Sequence, residues 1–189
     1  MKANFLLRIK NWQLFFMILI LPFIIAILYE LIMTLLNGPR MEILANPLTT
    51  ILYFVVFVLW NYSVIKYLDE SDKTMTENNK KTLKYILIYL AFYIAYIIGP
   101  LLNLFTWDLQ FFLWKAISLL SHFIMALSLI TLIYFSAKSI KFRQLGDQIR
   151  TSDIIIEMLI IGYFPLGLWW LQPRLNKIVK LTKKQSTNR

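Results

Sequence analysis

The stretch Asp153–Arg174, DIIIEMLIIGYFPLGLWWLQPR, decides how this chain lies in space. Its apolar residues suit a bilayer, but Gly162, Pro165 and Gly167 interrupt them halfway. Proline removes a backbone donor and clashes with the preceding turn, and glycine weakens a helix around it. Asp153 to Phe164 is 12 residues, about 18 Å of helix, which passes the middle of a hydrocarbon layer roughly 30 Å thick. The chain then has the chemistry to reverse at Pro165-Leu166-Gly167 and return through Trp169 and Trp170 to a basic interface at Arg174. This spacing predicts a re-entrant helical hairpin; the alternative is a kinked fifth transmembrane helix. Thr151, Ser152 or Asp153 is expected to cap the entry, where a carboxylate also suits the helix dipole.

The distribution of Lys and Arg separates the two topologies. The N-terminus carries 3, the first loop 1 (Arg40), the second loop 5, the third loop 1 (Lys115), the fourth 4 and the tail 6. Basic residues collect on the cytoplasmic side of a membrane protein. If the last apolar segment enters and leaves on one side, 18 of the 20 basic residues share that side. If it crosses, the six tail charges face out.

Outward from this segment the chain is 189 residues long, 59% hydrophobic and 16% charged. A soluble domain of that size needs more polar surface, so a single all-α membrane domain is expected, with no separate soluble domain. Transmembrane helices are predicted over about 12–36, 48–66, 85–105 and 112–136, with the re-entrant or fifth segment over about 153–172. The first resembles a signal peptide in its basic start (Lys2, Arg8, Lys10), but it is too long and lacks a small-residue cleavage site, so it reads as a retained helix bent at Pro22. Segment three is expected to break at Gly99-Pro100, and the polar continuation 137–150 to run on as helix outside the bilayer. The basic tail, 173–189, alternates Arg174, Lys177 and Lys180 with Leu175, Ile178 and Val179 and predicts an amphipathic helix on anionic lipid. A net charge of +10 raises the question of nucleic acid, but the charges flank apolar segments instead of forming a stripe among aromatics. Anionic head groups are the expected partner, and nucleic acid is not.

Chemistry-bearing residues are sparse. Cysteine is absent and His122 is the only histidine, which excludes thiolate chemistry and a histidine-rich metal site. No catalytic residue, metal site or cofactor is predicted. Glu30, in the outer part of helix one, offers a proton or cation site or, more simply, a carboxylate at the outer interface. Glu157 follows Asp153 by one turn; the pair suits acid–base work or a cation, but ion pairing with Arg150 and the basic tail accounts for it equally. His122 belongs to a mildly polar stripe with Ser118, Ser121, Met125 and Ser128, suited to close helix packing. Tyr85, Tyr89, Phe92, Tyr93 and Tyr96 form an aromatic stripe in segment three, and Tyr53, Phe57, Trp60 and Asn61 a face in segment two. Both read as packing seams, with tyrosine hydroxyls on Asn61 or backbone, before they read as the wall of a ligand cavity.

Two stretches resemble a family of small uncharacterised bacterial membrane proteins. The first is Trp12, Gln13, Leu14 and Phe15; the second is Tyr163, Pro165, Gly167, Trp169, Gln172, Pro173, Arg174, Asn176 and Lys177. The resemblance implies a bacterial inner membrane location and no particular activity. Within the second stretch, Arg174 can hold a lipid phosphate bidentately, with Trp169 and Trp170 at head-group level and Lys177 beyond them. Gln172 and Asn176, four residues apart, can satisfy backbone groups freed at Pro173. The expectation is a multi-pass protein with a cytoplasmic N-terminus. Its expected role is that of a non-catalytic accessory or scaffold subunit binding a membrane protein, a second copy or lipid. A small transporter or channel built on the broken segment is the alternative.

Overall fold

A backbone in hydrocarbon must satisfy every amide and carbonyl internally, and an apolar run of 20 residues achieves this as a helix. The computed structural model describes residues 7, 9–37, 47–101, 112–164 and 166–187, and its regular elements there are all helical. In chain order these are α1 (Asn11–Phe15), a π-helical turn (Phe16–Ile20), α2 (Leu21–Asn37), α3 (Pro47–Asp72), α4 (Glu77–Leu101), α5 (Phe112–Leu145), α6 (Thr151–Gly162) and α7 (Leu166–Thr187).

Just before Pro22, where the sequence predicts a bend, the helix makes a π turn. The Leu21 amide reaches back five residues to Phe16 O, and this wider turn accommodates the carbonyl that the Pro22 ring would otherwise strike. Pro47 opens α3 at a position where a missing amide costs nothing. The break expected at Gly99-Pro100 is not seen: α4 continues through both residues to Leu101. The polar stretch between segments two and three is also mostly helical, with only 73–76 outside helices. Lys73 ends α3 in the left-handed region, φ 51°. Asp69 Oδ1 then accepts the Met75 amide at 2.8 Å, and Thr76 Oγ1 accepts the Asn79 amide at 3.3 Å to start α4. Lys80 ties down this elbow through Glu77 at 3.1 Å and Asp69 at 3.5 Å. The Glu77 hydrogen bond and the Asp69 charge raise the Lys80 ammonium above its ordinary value.

Two helices are long and apolar enough to cross a membrane, Ile51–Glu70 within α3 and Ile117–Leu145 within α5. Half of the α3 stretch is buried against 11% of the α5 stretch, so α3 is the central helix and α5 lies at the edge of the bundle. α6 and α7 together form a broken pair bent by 118°, more than a right angle, the geometry of a broken span or of a re-entrant hairpin. The expected continuation of segment four appears as α5 running to Leu145, where Gly146 at φ 62° ends it without steric penalty. The return limb and the basic tail are a single helix, α7, which passes through Pro173 without interruption.

Two apolar clusters hold the bundle. The first gathers Leu14 from the N-terminal segment, Trp60 and Leu68 from α3, Ile140 from α5, Ile161 from α6 and Leu171 from α7. The second joins Val58 and Ile65 of α3 to Met75, Leu83 and Leu90 and to Leu132 and Phe135 of α5. Arg143 meets Asp72 at 2.6 Å, and Thr74 Oγ1 lies 3.4 Å from Ser139 Oγ. The N-terminal segment, the 73–76 elbow, the end of α5 and both limbs of the hairpin are therefore gathered at one end of the molecule. Large apolar side chains cover the outside elsewhere, with Leu35 77% exposed on α2, Phe92 72% on α4 and Leu119 73% on α5. A contiguous apolar exterior of this kind is stable against acyl chains and not against water.

Candidate functional site

The hairpin starts from a charged cap. Arg150 is the N-cap of α6, in extended conformation, and its amide donates to Asp153 Oδ2 at 3.1 Å. Of the three residues expected to cap, Asp153 is the one seen to do so, from the third helical position. Glu157 stands one turn further in, and its side chain is completely buried. Lys141 of α5 reaches to 3.0 Å from Glu157 Oε2, and Arg174 of α7 to 3.6 Å from Oε1. Neither carboxylate oxygen has an aligned hydrogen bond, so charge holds the trio. A buried carboxylate needs such partners, because leaving water unpaired costs several kcal/mol, roughly. Asp153 and Glu157 thus serve different neighbours: Asp153 the Arg150 amide, Glu157 the cations of α5 and α7.

The other limb closes on the chain's beginning. Trp60 Nε1 donates to Gln172 Oε1 at 3.1 Å, with both side chains fully buried. Gln172 Nε2 and Asn176 Nδ2 each donate to Ile9 O at 3.3 Å. Their spacing of four puts both amides on one face of α7, as the sequence implies, and the carbonyl they reach belongs to the N-terminal segment. Phe15 of α1 meets Trp169 edge to face at 5.2 Å, and Phe57 meets Phe164 at 4.7 Å. Trp170 is 66% exposed, and Lys177 is exposed beyond it.

Gly167 sets the geometry of the turn. A Cβ on this residue would lie 1.6 Å from Ile160 O, so α7 touches the backbone of α6 there. Gly162, the last residue of α6, has open space where a Cβ would stand. Pro165 lies outside the described residues.

The remaining polar residues are distributed elsewhere. Asn61 is buried on α3; its Nδ2 donates to Phe57 O at 2.9 Å and its Oδ1 has no hydrogen-bond partner. His122 is exposed on α5, with Nδ1 2.6 Å from Ser118 O and the ring edge-on to Tyr93 at 5.6 Å. Tyr89 Oη donates to Ser121 O at 2.6 Å, which fastens α4 to the serine stripe of α5. The aromatic stripe of α4 straddles the edge of the bundle: Tyr89, Tyr93 and Tyr96 stack inward at about 6 Å centroid spacings, while Tyr85 and Phe92 face out. The side chain of Glu30 lies outside the described ones. Sequence reasoning missed Lys141 as the partner of Glu157 and Ile9 O as the acceptor for α7. The first pair is close only because α5 packs on α6, and the second acceptor is a main-chain atom with no sequence signal.

Among the described residues no group of three or more His, Asp or Glu side chains is placed to hold a metal ion. Fold and site together define a membrane-embedded all-α protein whose broken C-terminal segment is clasped by an ion trio around the buried Glu157 and by an amide bridge. No protein-family model, curated protein or solved structure matches the chain.

Proposed function

We propose that this protein is a non-catalytic accessory or scaffold subunit of a bacterial cytoplasmic membrane, with four crossing helices, a re-entrant hairpin and both termini cytoplasmic. One observation carries the reading: the polar side chains of the hairpin spend their bonding capacity on fastening the fold. Glu157 serves Lys141 and Arg174, and Gln172 joins Trp60 to Ile9 O. A site built for turnover instead aims its polar groups at a space a substrate can enter. The location of basic residues supports the orientation, since the segments gathered at one end carry most of them. The exposed apolar faces of α2 and α5 suit acyl chains or the helices of a partner.

The test is extraction in mild detergent followed by identification of co-purifying membrane proteins, paired with ion and solute flux measurements on the purified protein in liposomes. A stoichiometric partner and no flux is the expected result; flux by the protein alone would overturn the reading.

The transporter reading has one observation in its favour. Glu157 is a buried carboxylate without aligned hydrogen bonds, close to a broken helix pair, as in discontinuous-helix transporters. It requires Glu157→Gln to abolish flux while the protein remains folded.

A further inference from the structure

α3 and α4 leave a groove between them beside the 73–76 elbow. The two helices share a side-chain cluster, but their backbones stand apart and each packs on α5. The groove encloses about 450 Å³, within the range of small-molecule sites. Its walls change character along their length. Asp69, Glu70 and Lys80 line the end at the elbow, and Tyr62, Leu87 and Ile88 the other end, with Lys66 and Lys84 between. Lys66 and Lys84 each lie nine residues from Met75, on opposite arms of the helical hairpin, which brings them to one height. That height is the polar–apolar boundary: Tyr85 opens the apolar run of α4, and Ile65 precedes Lys66 at the end of that of α3.

The charges of the groove are unevenly used. Asp69 is occupied by the Met75 amide and Lys80, and Lys80 also binds Glu77. Lys66 and Lys84 are exposed, with Lys66 Nζ 6.0 Å from the Tyr62 ring. Glu70, also exposed and lining the groove, is a carboxylate that opposes an anion. With Lys80 paired to Asp69, two further exposed lysines against one exposed carboxylate leave a surplus of positive charge at head-group level, directly above an apolar wall.

We propose that this groove is a binding site for an anionic glycerophospholipid, with the phosphate between Lys66 and Lys84 and an acyl chain along Tyr62, Leu87 and Ile88. Cationic side chains next to a membrane segment attract anionic lipid, and an apolar floor distinguishes a lipid from a soluble phosphate. The site is independent of the accessory-subunit reading, because it uses neither the hairpin nor a protein partner.

Native mass spectrometry of the full-length protein, released from vesicles of phosphatidylglycerol and phosphatidylethanolamine in equal parts, tests it. The expected result is preferential retention of phosphatidylglycerol, reduced roughly tenfold or more in Lys66→Gln/Lys84→Gln and kept in Lys66→Arg/Lys84→Arg. Glu70→Gln should strengthen retention, and Lys177→Gln/Lys180→Gln on α7 should leave it unchanged. Equal retention of the two lipids would overturn the proposal, as would undiminished preference in the double glutamine variant. Equal loss in the α7 variant would assign the preference to diffuse tail charge, and displacement by free glycerol phosphate would make the site one for a soluble anion; either result also overturns it.

Discussion

At the scale of single residues, two positions govern the hairpin. Glu157 has no access to solvent, and Lys141 at 3.0 Å and Arg174 at 3.6 Å are the partners that face it there. Glu157→Ala leaves Lys141, whose side chain is only 16% exposed, without its anion. The expected loss is about 3–5 kcal/mol, read as a fall in thermal midpoint in detergent. Pairing Glu157→Gln with Lys141→Met should restore part of it, because the double change removes both charges. Gly167 acts through space alone. Gly167→Ala places a methyl group against Ile160 O, an atom of a neighbouring backbone that cannot turn aside. The expected cost is about 1–3 kcal/mol or more in the same assay, whereas Gly162→Ala should be neutral or slightly stabilising because its Cβ meets nothing.

At the scale of elements, the clasp between α7 and the N-terminal segment is the feature to perturb. Gln172 and Asn176 hold Ile9 O from one face of α7, and Trp60 holds Gln172 from α3. Trp60→Phe keeps a ring in the core but removes the indole donor, with an expected loss of about 1–3 kcal/mol. Gln172→Ala removes both halves of the bridge. It should release the N-terminal segment locally, measured as faster amide exchange over 9–15 and earlier tryptic cleavage after Lys10, with α3 and α5 still protected. Equal loosening throughout the bundle would show that the clasp belongs to the global fold and not to this element. The tail belongs to the same element: the helix expected from residue 173 continues directly from the residues before it, in α7. Pro173 is accommodated because a proline costs the helix one donor and a local clash, and the packing of Leu171 and Leu175 on either side offsets this.

At the scale of the whole molecule, topology is the property to measure. The chain contains no cysteine, so single substitutions report directly. Gln185→Cys is expected to react with an impermeant maleimide only from the cytoplasmic side. Leu166→Cys, at the turn of the hairpin, is expected to be shielded from both sides until the membrane is dissolved. Labelling of position 185 from outside intact cells would replace the re-entrant hairpin with a fifth crossing.

Much of this architecture was legible in the residues because it depends on local chemistry. Long apolar runs dictate helices in lipid, Gly162 and Pro165 place the interruption, and the chain does turn by 118° there. Asp153 at the head of α6 also follows from short-range spacing. What tertiary structure decided involves residues distant in sequence. Lys141, and not Arg150, faces Glu157 because α5 runs on to Leu145 and lies on α6. Gly167, read from the chain only as a helix breaker, proves to be the place where two backbones touch. Gln172 and Asn176 find a main-chain carbonyl more than 160 residues away. Hydropathy and helix-breaking residues act on their own neighbours and can be read from the chain, whereas charge pairing and close packing depend on which helices meet.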